Sequence, residues 1–156
     1  MNLPQFEKFI KNPFPGRLLT LDPGQTTGWA RWENSELVDR GQWNTFPVNS
    51  CIDLIVRELS PVRVNAVVME EDRVYAHKTE DHAQNDMHTS RLIGAIEFWC
   101  GLNDIPYRMQ GAGIVKNWAT DEKLKAWDMW IKGERHARDA IRHGIYFLHH
   151  GKPLTI

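Results

Sequence analysis

The sequence predicts a single α/β domain in which a five-stranded mixed sheet is flanked by helices. Three short apolar segments joined by tight turns near the start of the chain predict an antiparallel meander. Further along, helical and strand patterns alternate, which is typical of strands covered by helices. The length of 156 residues suits one domain with a buried core.

The meander comes first in the chain. Residues 1–16 form a short lead-in broken by Pro13 and Pro15, which we treat as an N-terminal extension of a domain spanning residues 17–156. The three strands are predicted over residues 17–22, 28–33 and 36–43, with glycine and the Asn34–Ser35 pair in the turns.

Helices and two further strands follow the meander. Apolar residues at helical spacing predict a helix over 48–59, and a nearly continuous apolar run predicts a strand over 64–70 that is buried on both faces. The polar segment 73–86 is predicted to be a loop. The remaining elements are a helix over 87–102, a strand over 105–109, and helices over 112–118, 121–131 and 134–149.

The charge of the chain is balanced overall but unevenly distributed. There are 19 Lys and Arg against 20 Asp and Glu, a net charge of −1. Residues 108–152 hold nine Lys or Arg and five Asp or Glu, so this part carries +4 and the remainder −5. A basic region beside acidic strand ends could contact phosphates while concentrating cations. An ordinary solvated helix face would have the same composition.

Several classes of protein do not fit the sequence. No apolar run reaches the roughly 18 residues that a membrane-spanning helix needs, and the first residues lack the apolar core of a signal peptide. Cys51 and Cys100 form no metal motif, so we expect two buried, reduced thiols in a cytoplasmic protein. The irregularly spaced His77, His82 and His88 do not resemble a zinc site and are expected near DNA or solvent.

Acidic residues end two of the predicted strands. Asp22 ends the first strand, and the following Pro-Gly turn leaves its carboxylate at the edge of the sheet, although a turn-capping aspartate would look the same. Glu70 and Glu71 end the fourth strand. Because side chains alternate across a strand, only one of these two glutamates can share a face with Asp22. Two exposed acids at a strand exit would give the same pattern.

The last helix carries an imidazole and a carboxylate on one face. His136 and Asp139 are three residues apart and therefore project together. The opposite face is small and apolar, and packing it on a sheet would carry this pair toward the strand ends; an ordinary surface pair beside Arg135 and Arg138 is the alternative. His143 is expected to lie behind the ligands or to face solvent. Two strand-end acids and such a pair could hold two divalent cations about 4 Å apart for in-line attack on a phosphodiester.

These motifs resemble those of the RuvC family of Holliday-junction resolvases, in the RNase H-like nuclease superfamily. LLTLDPGQTTGWARW is similar to the family's first strand, turn and second strand, VVMEED to its second motif, and ERHARDAIRHG to its terminal helix. The resemblance implies an RNase H-like fold. It also implies the metal ligands Asp22, Glu70 rather than Glu71, His136 and Asp139. SRLIGAIEFW and GIVKNWATDEK are similar to later segments, which implies that Lys116 and Lys123 assist at the scissile phosphate.

The activity implied by the resemblance is metal-dependent resolution of four-way (Holliday) DNA junctions. Paired nicks would leave 5′-phosphate and 3′-hydroxyl ends. Two Mg²⁺ or Mn²⁺ ions would activate the water and stabilise the leaving oxygen, with His136 as a ligand or as the base, and an imidazole in the site favours Mn²⁺. Because a four-way junction has two-fold symmetry, a homodimer is expected. The helix over 87–102 is the candidate interface, unless its apolar face, which includes Leu92, Ile96 and Leu102, packs on the sheet.

The DNA-binding residues implied by the resemblance are basic or aromatic. Where the family often places an aromatic wedge, three residues past the catalytic glutamate, this chain has Arg73, with Tyr75 two residues further, and either could stack on bases. The residues expected to contact phosphates are Lys116, Lys123, Lys125, Arg135 and Arg138.

Three other functions share some of these features. An actin-like ATPase or sugar kinase also begins with Asp-x-Gly on a hairpin, but it needs two such lobes and this chain supplies one. A related nuclease acting on forks, flaps or RNA–DNA hybrids would carry nearly the same residues. A non-catalytic junction-binding relative would have lost acids, whereas all four metal-site positions are occupied here.

Overall fold

A computed structural model of the chain describes the backbone of residues 5–71 and 80–154 and the side chains of residues 5–71 and 87–154. The strands are β1 (Arg17–Asp22), β2 (Thr26–Glu33), β3 (Glu36–Asn44), β4 (Ala66–Glu70) and β5 (Tyr107–Gln110). The helices are α1 (Ile52–Glu58), α2 (Glu80–Leu102), α3 (Ala112–Trp118), α4 (Asp121–Ala126) and α5 (Arg135–His150), with short 3-10 turns at Phe6–Phe9 and Val48–Cys51.

The five strands form one mixed sheet in the order β3-β2-β1-β4-β5. β1, β2 and β3 are antiparallel neighbours, whereas β4 is parallel to β1 and β5 is parallel to β4. The predicted α/β fold with a five-stranded mixed sheet is therefore confirmed. The parallel pairing has a functional consequence, because it brings the carboxyl ends of β1, β4 and β5 to the same edge of the sheet.

Each face of the sheet is covered by its own hydrophobic core. Alternate residues of β1 and β4, such as Leu18 and Val68, pack with α5, and the side chain of Phe6 in the lead-in joins this core. The intervening residues, such as Leu19 and Val67, pack with α2 on the other face. The division follows from strand alternation, since successive side chains point to opposite faces.

Two glycines allow α5 to lie unusually close to the sheet. A Cβ atom on Gly28 of β2 would come 1.8 Å from the backbone oxygen of His136, and one on Gly144 would come 2.2 Å from the Trp32 ring. Because neither contact leaves room for a side chain, both positions require glycine. The N-terminal end of α5 is thereby held against β2, beside the end of β1.

Two helix boundaries differ markedly from the sequence prediction. Residues 80–86, predicted to be a loop, form the first turns of α2, and the predicted loop residues 73–79 lie outside the described part of the chain. α4 ends at Ala126 rather than at 131, because Asp128 has a φ of 57° and the Trp127 amide closes the last turn. Leu102, on the face of α2 that the sequence offered either as a dimer interface or as a surface packed on the sheet, is 62% exposed.

The cysteine prediction is confirmed, since Cys51 and Cys100 are both buried and free. His88 differs from its predicted exposed position, because it is buried on α2 with its ring 5.0 Å from that of Phe46. His77 and the side chain of His82 lie outside the described residues. Over residues 5–71 and 80–154, no helix is long and apolar enough to cross a membrane.

Candidate active site

The carboxyl ends of β1 and β4 meet α5 at a cluster of acidic and basic side chains. Asp22, the last residue of β1, accepts a hydrogen bond from His136 Nδ1 at 2.9 Å. Glu70, the last residue of β4, accepts a hydrogen bond from His143 Nε2 at 3.1 Å. The structure thus brings strand ends together with the face of α5 that carries both histidines. Asp22, Glu70 and Asp139 are called the carboxylate cluster below.

Lys116 joins two members of the carboxylate cluster. Its ammonium nitrogen lies 3.3 Å from an oxygen of Asp139 and 3.8 Å from an oxygen of Glu70. Asp139 also lies 3.5 Å from Nε of Arg142, one turn further along α5. The predicted residues Asp22, Glu70, Asp139 and Lys116 are therefore neighbours in space, although the sequence separates them by up to 117 positions.

Strand alternation explains why Glu70 is the glutamate in this cluster. Ala66 and Val68 pack with α5, so Glu70, two residues further along β4, lies on the same face. The same reasoning places Asp22 on the α5 face of β1, after Leu18 and Thr20. Of the two glutamates that the sequence left open, the structure places Glu70 beside α5.

Two sets of hydrogen bonds, one buried and one exposed, fix the register of α5 over the sheet. The hydroxyl of Thr20 donates to the Ala140 carbonyl at 2.7 Å and accepts from the indole Nε1 of Trp32 at 3.0 Å. The backbone N–H of His136 donates to the side-chain oxygen of Gln42 at 3.0 Å, which satisfies one of the free amides at the start of the helix. These contacts determine how far along the strands His136 and Asp139 are placed.

Burial raises the pKa of Asp22 above its ordinary value, and the negative charges of Glu70 and Asp139 raise it further. The hydrogen bond from His136 lowers the pKa of Asp22 but does not outweigh burial. The same hydrogen bond raises the pKa of His136 above its usual range, against the effect of burial. Repulsion within the carboxylate cluster and the imidazole's preference for its charged form both indicate an excess of negative charge.

The pKa values of Glu70 and Lys116 also depend on the charged groups of this site. Burial acts to raise the pKa of Glu70, but the hydrogen bond from His143 and the charge of Lys116 outweigh it, so the pKa is lowered. Burial acts to lower the pKa of Lys116, but the charges of Glu70 and Asp139 outweigh it, so the pKa is raised. Glu70 is therefore held as a carboxylate and Lys116 as an ammonium.

The donor set of this site fits a hard divalent cation. Three carboxylates and one imidazole offer oxygen and nitrogen ligands of the kind that Mg²⁺ and Mn²⁺ accept, and the mutual repulsion that raises the pKa of Asp22 would be relieved by a cation. Among the side chains of residues 5–71 and 87–154, however, no three His, Cys, Asp or Glu converge closely enough to hold one ion. The acids are instead paired with His136, His143 and Lys116.

A basic cleft opens beside Asp139. Its volume is about 580 Å³. Arg135 is exposed at its rim, whereas Arg142 is only 7% exposed and has a buried Nε without a hydrogen-bond partner among the described residues. The residues that line the cleft are Lys116, Thr120, Asp121, Arg135, Arg138, Asp139 and Arg142.

Several predicted residues contact other groups or cannot be placed. The ammonium of Lys123 donates to the Trp118 carbonyl at 2.8 Å and lies 4.0 Å from that ring's centre, so its contacts differ from those of Lys116. Lys125 and Arg138 both lie over the ring of Trp130. Arg73 and Tyr75 lie outside the described residues.

Sequence reasoning missed three participants. Gln110 was not considered, although it ends β5 opposite Glu70 in the sheet register. Arg142 was counted only as part of the charge gradient, and His143 was left between a supporting and an exposed position. The available signal was position alone: Gln110 follows a predicted strand, and Arg142 and His143 lie three and four residues after Asp139, one turn further along the same helix.

Comparison with solved structures identifies the fold of the chain, whereas comparison with protein families and curated proteins finds no match. A structure titled Thermus thermophilus RuvC in complex with Holliday junction substrate superposes with a TM-score of 0.63 and 16% identity, covering 90% of this chain and 99% of the other. The chain has a RuvC-like fold.

Two further structures support the RuvC-like fold. Another structure of Thermus thermophilus RuvC gives a TM-score of 0.60 and 16% identity, covering 83% of this chain and 91% of that one. The yeast mitochondrial Holliday junction resolvase Ydc2 gives a TM-score of 0.55 and 10% identity, with coverage of 92% and 83%. The predicted RuvC-like, RNase H-like architecture is thus confirmed across nearly the whole chain.

Proposed function

We propose that this chain is a metal-dependent endodeoxyribonuclease that resolves four-way DNA junctions. The single observation that carries the proposal is the meeting of Asp22, Glu70, His136 and Asp139 at one edge of a RuvC-like sheet. One structure with this fold is of Thermus thermophilus RuvC in complex with a Holliday junction substrate, and another is of the yeast mitochondrial Holliday junction resolvase Ydc2. Junctions are therefore the substrate that we favour over other branched DNA.

Asp22, Glu70, His136 and Asp139 are the residues that would hold two Mg²⁺ or Mn²⁺ ions. When bound, the ions would supply water activation and charge stabilisation at the scissile phosphate. The site would then cleave the bond between phosphorus and the 3′ oxygen, giving 5′-phosphate and 3′-hydroxyl ends. The acids' present partners, His136, His143 and Lys116, keep the carboxylates in place near one another.

His136 and Lys116 have distinct roles in this proposal. Because Nδ1 of His136 donates to Asp22, Nε2 is the nitrogen available to hold a cation or to accept the proton of the attacking water. Lys116, held as an ammonium between Glu70 and Asp139, is placed to offset the negative charge that grows on the phosphate during attack. We assign no such role to Lys123, because its ammonium contacts Trp118.

The basic cleft is the surface that we assign to the DNA backbone. Arg135 and Arg138 lie on its wall, next to Asp139, so a strand bound there would pass the carboxylate cluster. Phosphate contacts of this kind position the nucleic acid without reading its sequence. A stacking wedge at Arg73 or Tyr75 remains part of the proposal.

We also propose a homodimer that acts through the exposed face of α2. Met87, Phe98 and Leu102 are 56%, 69% and 62% exposed on this helix, while Leu92 and Ile96 on its other face pack on the sheet. Two copies related by a two-fold axis would present two active sites to the two symmetric strands of a junction.

The experiment compares labelled four-way junction, fork and linear duplex in Mg²⁺, in Mn²⁺ and in EDTA. We expect metal-dependent cleavage of the junction in preference to the duplex, with products that ligase can reseal. Asp22→Asn should lower the cleavage rate by about a thousandfold or more, because it removes a charged ligand, while junction binding in EDTA stays within about threefold. Asp53→Asn, at an exposed position on α1, is the matched control and should cleave normally.

One observation favours a second candidate, a junction-binding protein without nuclease activity. The acids of the described site are already paired with basic side chains, and no three ligands converge on one point in that part of the chain. Junction binding without cleavage in either metal would support this second function and refute the first. Cleavage of forks at the same rate as junctions would support a nuclease of broader branch preference.

A further inference from the structure

His143 is a fully buried histidine that the proposed chemistry does not use directly. It lies on α5, four residues after Asp139, with a relative exposure of 0%. Its Nε2 lies 3.1 Å from an oxygen of Glu70, and its Nδ1 lies 3.1 Å from the side-chain oxygen of Gln110. Gln110 is itself only 7% exposed. The imidazole therefore joins three elements, β5, α5 and β4, in one buried contact chain.

We propose that His143, held by Gln110, is a positioning residue that fixes the carboxylate of Glu70 for cation binding. The inference rests on the proposed function, because Glu70 is there assigned as a metal ligand. We call the chain Gln110–His143–Glu70 the relay.

The two partners of Glu70 differ in rigidity. Lys116 approaches at 3.8 Å through a flexible side chain that is 44% exposed, whereas His143 approaches at 3.1 Å from a position of zero exposure. A buried ring on a packed helix has far fewer conformations than an exposed lysine. His143 is therefore the partner able to hold the carboxylate in one orientation.

The structure also argues against a purely space-filling role for His143. An imidazole without hydrogen-bond partners is costly to bury, and an apolar residue would fill the same space without that cost. Here both ring nitrogens have partners, and both partners end strands at the edge where the carboxylate cluster lies. The relay therefore ends on Glu70, the member of the carboxylate cluster that ends β4.

Two substitutions test separately the contact of His143 with Glu70 and its contact with Gln110. In His143→Gln, the longer amide can reach the position of Nε2 and continue to donate to Glu70. In His143→Asn, the shorter amide can reach the position of Nδ1 and contact Gln110, but it leaves Glu70 without this partner. His150→Asn is the matched control, because His150 is an exposed histidine of the same helix, next to Trp118 and Tyr146.

The primary readout is Mn²⁺ affinity, measured by electron paramagnetic resonance on the full chain without DNA. We expect His143→Asn to weaken Mn²⁺ binding by about 10- to 100-fold, as loss of a ligand's supporting contact typically does. His143→Gln should recover binding to within about fivefold, and His150→Asn should bind as the parent does. Single-turnover junction cleavage should follow the same order, while junction affinity in EDTA stays unchanged.

Equal Mn²⁺ affinity of parent and His143→Asn would overturn the relay, as would a parent that binds no Mn²⁺. Equal losses in His143→Asn and His143→Gln would also count against it, because they would indicate a requirement for histidine unrelated to the donor toward Glu70. If His143→Asn does not fold, Gln110→Ala tests the other end and should weaken Mn²⁺ binding less, by about three- to tenfold. The two proposals can be separated. If the His143 variants change Mn²⁺ affinity as expected but the parent cleaves no branched DNA, the positioning role of His143 is supported and the nuclease function is refuted.

Discussion

Asp22 and His136 change each other's pKa through one short contact. Each side chain is at least half buried, and they are joined by a single hydrogen bond of 2.9 Å. Burial alone would favour neutral forms of both groups. The hydrogen bond to Asp22 nevertheless raises the pKa of His136 and favours the imidazolium, and the negative charges of Asp22 and Asp139 add to this effect.

The raised pKa of His136 predicts a pH dependence of stability. Since the pKa of His136 in the folded state lies above its ordinary value of 6.5, the contribution of His136 to stability is complete below about pH 6.5 and is lost as the pH rises through the folded-state pKa. His136→Asn keeps a neutral donor near Nδ1 and removes only the titration. The difference in unfolding free energy between parent and variant should therefore be largest at pH 6 and shrink toward pH 9, as measured by urea unfolding in EDTA.

The control for this prediction is His150→Asn. Burial lowers the pKa of His150, so the charged form is disfavoured in the folded state and the pH trend should have the opposite sign. A parent-minus-His136→Asn difference that is constant with pH would contradict the coupling between His136 and Asp22.

At the residue scale, the sequence located the clustered acids but not the side chains that support them. Asp22, Glu70 and Asp139 could be proposed because acids at strand ends and on a helix face follow from periodicity and turn chemistry. Strand alternation alone could not choose Glu70 over Glu71, because that choice depends on which face of β4 packs on α5; in the sequence analysis only the family resemblance favoured Glu70. His143 and Gln110 could not be paired from sequence, because their contact depends on the lateral order of β4 and β5, which local patterns do not encode.

At the scale of elements, the position of α5 depends on two glycines. We predict that Gly28→Ala destabilises the protein by roughly 2 kcal/mol or more, because the added methyl would meet the backbone oxygen of His136 and no rotamer can relieve that contact. The same variant should lose metal-dependent cleavage, since α5 must move away from β1. Denaturant unfolding measures the first effect and junction cleavage the second.

Gly113→Ala is the matched control for the close approach. No atom lies within 4 Å of a Cβ built at Gly113 on α3, so the variant should be neutral or more stable by up to about 1 kcal/mol. Similar losses of stability in the two variants would show that the contact with α5 is not the cause.

The sequence located some secondary-structure elements more accurately than others. The three meander strands and α5 were located well because strong periodicity and turn residues agree there. α2 begins earlier than predicted because the polar residues 80–86 have no apolar periodicity, so nothing local distinguishes their helix from a loop. α4 ends early because the backbone turns at Asp128, a left-handed position that its apolar flanks did not indicate.

At the scale of the whole molecule, an uneven charge distribution matters more than the net charge of −1. We predict that Arg135→Gln weakens junction binding and lowers the slope of log affinity against log salt by about one, as expected for the loss of one phosphate contact. Arg63→Gln, an exposed arginine in the loop before β4, should change neither quantity. Fluorescence anisotropy in EDTA at several salt concentrations provides the measurement.

The exposed face of α2 makes a second prediction at this scale. Phe98→Glu should convert a dimer into monomers, because it places a charge at the centre of an apolar contact, and paired nicks should become independent single nicks. Val62→Glu is the matched control, since Val62 is 76% exposed but lies outside α2. Light scattering measures the molar mass of the parent and of both variants in solution. A monomeric parent would contradict the proposed dimer.

Residues 5–16, which precede β1, pack against parts of the molecule that lie away from the carboxylate cluster. Phe6 packs at 6.2 Å from Trp32 and 5.3 Å from Trp127, and the amides of Lys11 and Asn12 both donate to the Leu148 carbonyl in the last turn of α5. Removing residues 1–16 from a recombinant version would expose the rings of Trp32 and Trp127. It would also remove the hydrogen bonds to the C-terminal end of α5, the helix that carries His136. Protein engineers seeking a minimal version should therefore shorten other regions first.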